Sequence, residues 1–161
     1  MANITVKLVI GLGNDDKKYA KTYHNVGFLM VDFLKQIMPQ LTLQKITGYM
    51  NEAGSSVKEI IRQHNATPEA TLIIHDDSDI QLGEYKFSFA RGAAGHKGVQ
   101  NIMDVLKTKN FWRLRIGIRP KQKTGAVRKK SEEFVLKNIT PTNLKVLNEV
   151  FTLAAPSLQN Q

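Results

Sequence analysis

The 161-residue chain contains no cysteine, which excludes disulfide scaffolds, thiol nucleophiles, iron–sulfur clusters and cysteine zinc sites and permits a reducing compartment. One domain of this length buries roughly two thirds of its unfolded surface without a metal or crosslink. No apolar run reaches the length of a membrane span, and Lys7 and Asp15 interrupt the N-terminal segment where a signal peptide would be continuous. The net charge is +9, from 23 basic and 14 acidic side chains. Ten of the basic residues lie between Lys107 and Lys130 with no acidic one among them, leaving 13 basic against 14 acidic elsewhere. The excess is a local block, the footprint of a polyanion partner rather than a generally basic surface.

In chain order, the β-branched run Thr5–Ile10 reads as a buried strand that delivers the loop Gly11-Leu12-Gly13-Asn14 at its end. From Asn25, apolar residues at Val26, Phe28, Leu29, Val31, Phe33, Leu34 and Ile37 recur at helical spacing until Pro39. A second helix spans Asn51 to Gln63. Thr71–Asp76 is an apolar strand followed by the turn-rich Asp77-Ser78-Asp79-Ile80-Gln81-Leu82-Gly83, and Tyr85–Phe89 alternates as a half-solvated strand. The glycine loop Arg91–Gly98 feeds a helix through Leu106, Trp112–Ile118 is a further strand, and Asn143–Leu153 a terminal helix. Strands alternating with helices predict one α/β domain over residues 1–161 with a mainly parallel sheet. Ligands of such sheets bind beyond the carboxyl ends of the strands, which directs the reading to Asn14, Asp76, Arg119 and the glycine loop.

His24 opens a helix, where an imidazole serves as a cap, as packing or as a base. Asp76 ends a buried strand, as a turn carboxylate or as the partner of a base. Together they make the minimal general base with an orienter, and a histidine pKa near 6.5 suits neutral pH. A metal cluster at His75, Asp76, Asp77 and Asp79 is not expected, because adjacent strand residues point to opposite faces and the calcium-loop spacing is missing. Gly11-Leu12-Gly13 lacks the third glycine of a dinucleotide fingerprint, no Walker pattern exists, and Gly92, Gly95 and Gly98 serve tight turns or, less specifically, phosphate cradling. Arg113 and Arg115 share one strand face beside the basic loop, suited to backbone phosphates or else a solvated charged surface.

Val9-Ile10-Gly11-Leu12-Gly13-Asn14, Tyr19, Thr22, His24-Asn25-Val26-Gly27, Asp32, Met50-Asn51, His75-Asp76, Asp79, Gly83, Lys86, Gly95-His96, Gly98 and Arg113-Leu114-Arg115-Ile116-Gly117-Ile118 follow one another in an order and spacing that closely resembles bacterial-type peptidyl-tRNA hydrolase, from residue 7 to Leu136. The resemblance implies a three-layer α/β sandwich, its mixed, mostly parallel sheet flanked by helices, that hydrolyses the ester between peptide and the 3′ ribose of tRNA without cofactor or metal. It implies His24 as general base, Asp76 as its orienting carboxylate, Asn14 and Asn51 as active-site amides, and Tyr19 and Met50 as substrate contacts. The basic block (Arg113, Arg115, Arg119, Lys121, Lys123, Arg128, Lys129 and Lys130) would then hold acceptor-stem phosphates. A cytoplasmic monomer acting in translation, with no membrane partner, is the expectation.

The chain departs from the family pattern in several places. Asn14-Asp15-Asp16 stands for Asn-Pro-Gly, Tyr23 for arginine, and His96-Lys97-Gly98 for His-Asn-Gly. Lys97 is assigned to substrate binding, since it can donate to an oxyanion or phosphate although it accepts no hydrogen bond. Leu43 to Tyr49 is shorter than the family's stretch, which predicts a smaller sheet and a more open cleft. Two alternatives stay open: an RNA-binding paralogue without turnover, and a hydrolase of another acyl-RNA ester.

Overall fold

The structure, a computed structural model, describes residues 3–160. The strands are β1 (Ile4–Val6), β2 (Leu8–Gly11), β3 (Leu43–Lys45), β4 (Thr71–Gln81), β5 (Tyr85–Phe89), β6 (Trp112–Arg119) and β7 (Leu158–Asn160). The helices are α1 (Val26–Ile37), α2 (Ala53–Gln63), α3 (Lys97–Leu106) and α4 (Pro141–Ala154). The main sheet runs β3-β2-β4-β6-β5, parallel throughout except for β5, and β1 and β7 form a separate parallel pair. Central strands are apolar on both faces because both faces are covered. Val9, Leu72, Ile74, Leu114 and Ile116 pack with α1 and α4, while Leu8, Ile10 and Ile73 pack with α2 and α3.

Four features differ from the sequence expectation. The strand expected over Thr5–Ile10 divides at Lys7, where the backbone bends and β1 leaves to pair with β7. The stretch Asp77–Gln81, expected as a turn, continues β4 along β6 with one register irregularity, because its polar groups find cations: Asp77 pairs with Arg115, the Ser78 carbonyl with Arg119, and Asp79 with Arg128. The shortened stretch before Met50 still supplies the edge strand β3, and α4 begins two residues before Asn143, with Pro141 in its first turn and Thr140 Oγ1 accepting from the Asn143 N–H at 3.2 Å.

One glycine sets the site's geometry. A Cβ on Gly27 would lie 2.4 Å from the Ile74 carbonyl oxygen and 2.6 Å from that of Leu12. Only glycine lets the first turn of α1 lie directly on β2 and β4, and that contact brings His24 beside Asp76.

Candidate active site

His24 sits in a 3₁₀ turn, Tyr23–Asn25, that leads into α1. A strap of chain at residues 134–139 grips this turn through its backbone: His24 N–H donates to the Val135 carbonyl at 2.8 Å, Tyr23 N–H to Lys137 at 3.1 Å, and Ile139 N–H to Lys21 at 2.8 Å. The Asn25 side chain closes a two-bond ring on the Asn14 backbone, accepting from its N–H at 2.8 Å and donating to its carbonyl at 3.0 Å. Asn14 Oδ1 in turn accepts from the Met50 N–H at 2.8 Å, so its Nδ2 is the side chain's remaining donor.

The carboxylate of Asp76, 2% exposed, serves two imidazoles. His24 approaches from the α1 side with Nδ1 at 2.7 Å from Oδ2, and His96, the N-cap of α3, from the other layer with Nε2 at 3.0 Å from Oδ1. The tautomers follow from the partners. His96 Nδ1 accepts from the Val99 N–H at 3.2 Å and carries no proton, so its Nε2–H donates to Asp76. The ionised Asp76 can only accept, so His24 donates through Nδ1–H and keeps a free lone pair on Nε2. Burial opposes protonation of His24, but the Asp76 charge and hydrogen bond outweigh it and raise the pKa above the ordinary value. Burial likewise opposes ionisation of Asp76, yet His24 and His96 together hold its carboxyl well below the usual range.

Behind Asp76 lies a second, buried pair. His75 Nδ1 donates to the Asp76 backbone carbonyl at 2.7 Å, its Nε2 accepts from Arg113 Nη1 at 3.3 Å, and its ring meets that of His96 edge-on at 4.7 Å. Burial first, then the neighbouring His96 and Arg113, hold His75 well below the ordinary histidine value and therefore neutral.

The site opens into a cleft of about 930 Å³ bordered by Asn14, Tyr19, His24, Asn51, Asp76, His96 and Lys97. Arg119, Arg128, Lys129 and Lys130 line the same cleft, whereas Lys121 and Lys123 are exposed on the loop beyond it. Arg119 closes the base of that loop, donating from Nη1 to the Lys129 carbonyl at 3.0 Å. Two expected contacts are corrected. Met50 is 1% exposed and packs in the core under α3, so it reaches the site only through the backbone N–H that fixes Asn14. Arg113, expected on the phosphate-facing set, is 2% exposed, because the glycine loop covers it and takes its hydrogen bonds. Arg115 is half-buried and bonded to Asp77 at 2.8 Å and Ser88 at 3.2 Å. His96 is the functional residue that sequence reasoning misses; its place in a glycine loop directly before a helix is the one signal the sequence offers.

His24, Asp76 and His96 place one potential ligand atom each within 4.8 Å of one another. A metal on His96 Nε2 would push that ring's proton to Nδ1, against the Val99 N–H, whereas metal-bound histidines turn their second N–H toward an acceptor. The donor set fits a proton relay better than a metal.

The model of the family described as peptidyl-tRNA hydrolase matches residues 8–40 and 37–160. The chain belongs to the peptidyl-tRNA hydrolase family. It is 34% identical over 174 residues to the peptidyl-tRNA hydrolase of Aquifex aeolicus, covering 95% of this chain and 88% of that one. To the enzyme of Thermodesulfovibrio yellowstonii it is 39% identical over 132 residues, 69% of this chain and 71% of that one. The crystal structure of peptidyl-tRNA hydrolase from Acinetobacter baumannii superposes with a TM-score of 0.78 at 27% identity, covering 94% of this chain and 86% of that one. The α/β architecture, with four α-helices among the described residues on a mixed and mostly parallel sheet, is that of the family. The two stretches matched by the family model meet at residues 37–40, just before the shortened stretch that carries β3.

Proposed function

We propose that this chain hydrolyses the ester joining a peptide to the 3′ ribose of tRNA, with His24 as general base. The observation that carries the reading is the Asp76-bound His24, whose Nε2 is the free nitrogen of a ring lining a cleft that five lysine and arginine side chains border. His24 Nε2 takes a proton from water, and the resulting hydroxide attacks the ester carbonyl. The oxyanion that forms meets donors from Asn14 Nδ2, Asn51 and Lys97. Collapse breaks the bond to the ribose 3′ oxygen, which takes the proton from the imidazolium and leaves as a hydroxyl, while the peptide leaves as a carboxylic acid that gives its remaining proton to solvent. Asp76 holds the tautomer and stabilises the imidazolium between the two transfers. Tyr19 borders the peptide side, and Arg119, Arg128, Lys129 and Lys130, with Lys121, Lys123 and the half-buried Arg115 further out, meet phosphates without reading bases. The chain acts as one unit, a monomer in the cytoplasm; no helix among the described residues is long and apolar enough to cross a membrane.

The test is release of deacylated tRNA from purified peptidyl-tRNA, compared with aminoacyl-tRNA, by wild type and His24→Ala. Wild type turns over the peptidyl ester, and His24→Ala loses about 10²–10⁴-fold in kcat. Binding without release would make the chain an RNA-binding relative, and undiminished release by His24→Ala would remove the base assignment.

A further inference from the structure

Arg113 presents an unusual arrangement: a guanidinium that is 2% exposed and, among the described residues, hydrogen-bonds to no carboxylate. Its neighbour Asp77 is taken by Arg115 at 2.8 Å. Its own bonds run to the Gly92 carbonyl at 2.7 Å, the Arg91 carbonyl at 3.3 Å and His75 Nε2 at 3.3 Å. Burial, and then the nearby Arg115, push its pKa down to about 10, so it stays charged at neutral pH. A charge kept in so unfavourable a place is explained by what its fork joins.

A guanidinium only donates, so His75 Nε2 must offer a lone pair and Nδ1 must carry the proton. That proton goes to the Asp76 backbone carbonyl at 2.7 Å. The ring so fixed stands edge-on to His96 at 4.7 Å, and His96 supplies the second bond to the Asp76 carboxylate. Through Gly92, the same guanidinium ties down the loop that ends in His96 and Lys97. Neither Arg113 nor His75 lines the catalytic cleft.

We propose that Arg113 and His75 are positioning residues for the hydrolysis, a buried relay in which the arginine sets the histidine's tautomer and thereby the placement of Asp76 and His96. The proposal rests on the function given above. Lysine cannot replace the arginine, because a single ammonium does not span an imidazole and two carbonyls in the geometry of a fork. Glutamine can partly replace the histidine, since its oxygen can accept from Arg113 and its amide can donate to Asp76.

Arg113→Met, His75→Gln and His75→Leu are compared with wild type in turnover of peptidyl-tRNA, in salt dependence of tRNA binding and in thermal unfolding. In Arg113→Met, kcat falls about 10–100-fold, the scale of a misplaced catalytic group, while KM and the salt slope stay at wild-type values. His75→Gln retains several-fold more kcat than His75→Leu at similar melting temperature. A kcat within threefold of wild type in Arg113→Met overturns the proposal, as does a salt slope shallower by about 0.7–0.9, the signature of a lost phosphate contact. If Arg113→Met does not fold, the His75 pair decides, and equal kcat in the two variants overturns it. If wild type does not turn over at all, the function reading fails separately, and ¹⁵N imidazole spectra of the wild-type protein still decide: His75 as the neutral Nδ1–H form supports the relay, and His75 as Nε2–H or imidazolium ends it.

Discussion

Asp76→Asn changes one oxygen to an amide nitrogen with almost no change in volume, yet it should nearly abolish turnover. The aspartate accepts from two imidazoles, at 2.7 Å from His24 and 3.0 Å from His96. An asparagine offers one acceptor and one donor group, so it can satisfy only one ring in the present tautomer. The choice is forced by the Val99 N–H, which keeps His96 Nδ1 unprotonated and its Nε2–H in need of an acceptor. The amide oxygen therefore turns to His96 and the NH₂ group to His24. His24 Nδ1 must then accept, its proton moves to Nε2, and the face that should take a proton from water already bears one. A wrong-tautomer substitution of this kind in the serine-protease triad costs about 10⁴-fold in kcat, which is about 5.5 kcal/mol of barrier. The same size is expected here, measured as single-turnover release of tRNA. Removing the competing ring lets the amide turn round, so Asp76→Asn/His96→Ala should be more active than Asp76→Asn alone. A single variant with more than a tenth of wild-type kcat, or ¹⁵N spectra showing His24 still protonated at Nδ1, would refute the reasoning.

Three further outcomes are expected. Because Asp76 raises the His24 pKa and the base acts when neutral, kcat/KM should rise with pH through an acidic limb placed above about 6.5; a pH–rate profile with its limb below that value contradicts the assignment. Replacing Arg128, Lys129 and Lys130 together with alanine should weaken tRNA binding and reduce the salt slope by about 0.7–0.9 per lost phosphate contact, with kcat at saturation unchanged, as binding titrations over a range of salt would report. Gly27→Ala forces a methyl against two backbone carbonyls, 2.4 and 2.6 Å away, and should cost at least about 3 kcal/mol in denaturant unfolding while lowering kcat, since α1 must lift away from Asp76.

The pairing of His24 with Asp76 was legible in the sequence because it depends on strand-end placement and on motif order, both of which survive without coordinates. What the sequence did not carry was decided by distant parts of the chain. Asp77, Ser78 and Asp79 are turn formers by local chemistry, and they become strand because β6 and the basic loop bring Arg115, Arg119 and Arg128 to their polar groups. Period two placed Arg113 and Arg115 on one face, and both do border the same shallow hollow beside β5. Periodicity could not reveal that the glycine loop lies over Arg113 and removes it from solvent. The resemblance implies Met50 as a substrate contact beside Asn51, but successive residues in a 3₁₀ turn point different ways, one into the core and one into the cleft. The part played by His96 is invisible until the Val99 N–H shows which of its nitrogens holds the proton.

The bond from Arg119 to the Lys129 carbonyl divides labour along the chain. Residues 120–128 form a lobe whose two ends are pinned together before the polypeptide continues to the strap over His24, so an insertion or deletion within the lobe is absorbed there. Lengthening such a lobe costs little entropy, about 0.6 kcal/mol per doubling. The reach and charge of this lobe can therefore vary while the pairing of His24 with Asp76 stays fixed, so that, on the function proposed above, differences in tRNA contact can accumulate here without loss of chemistry.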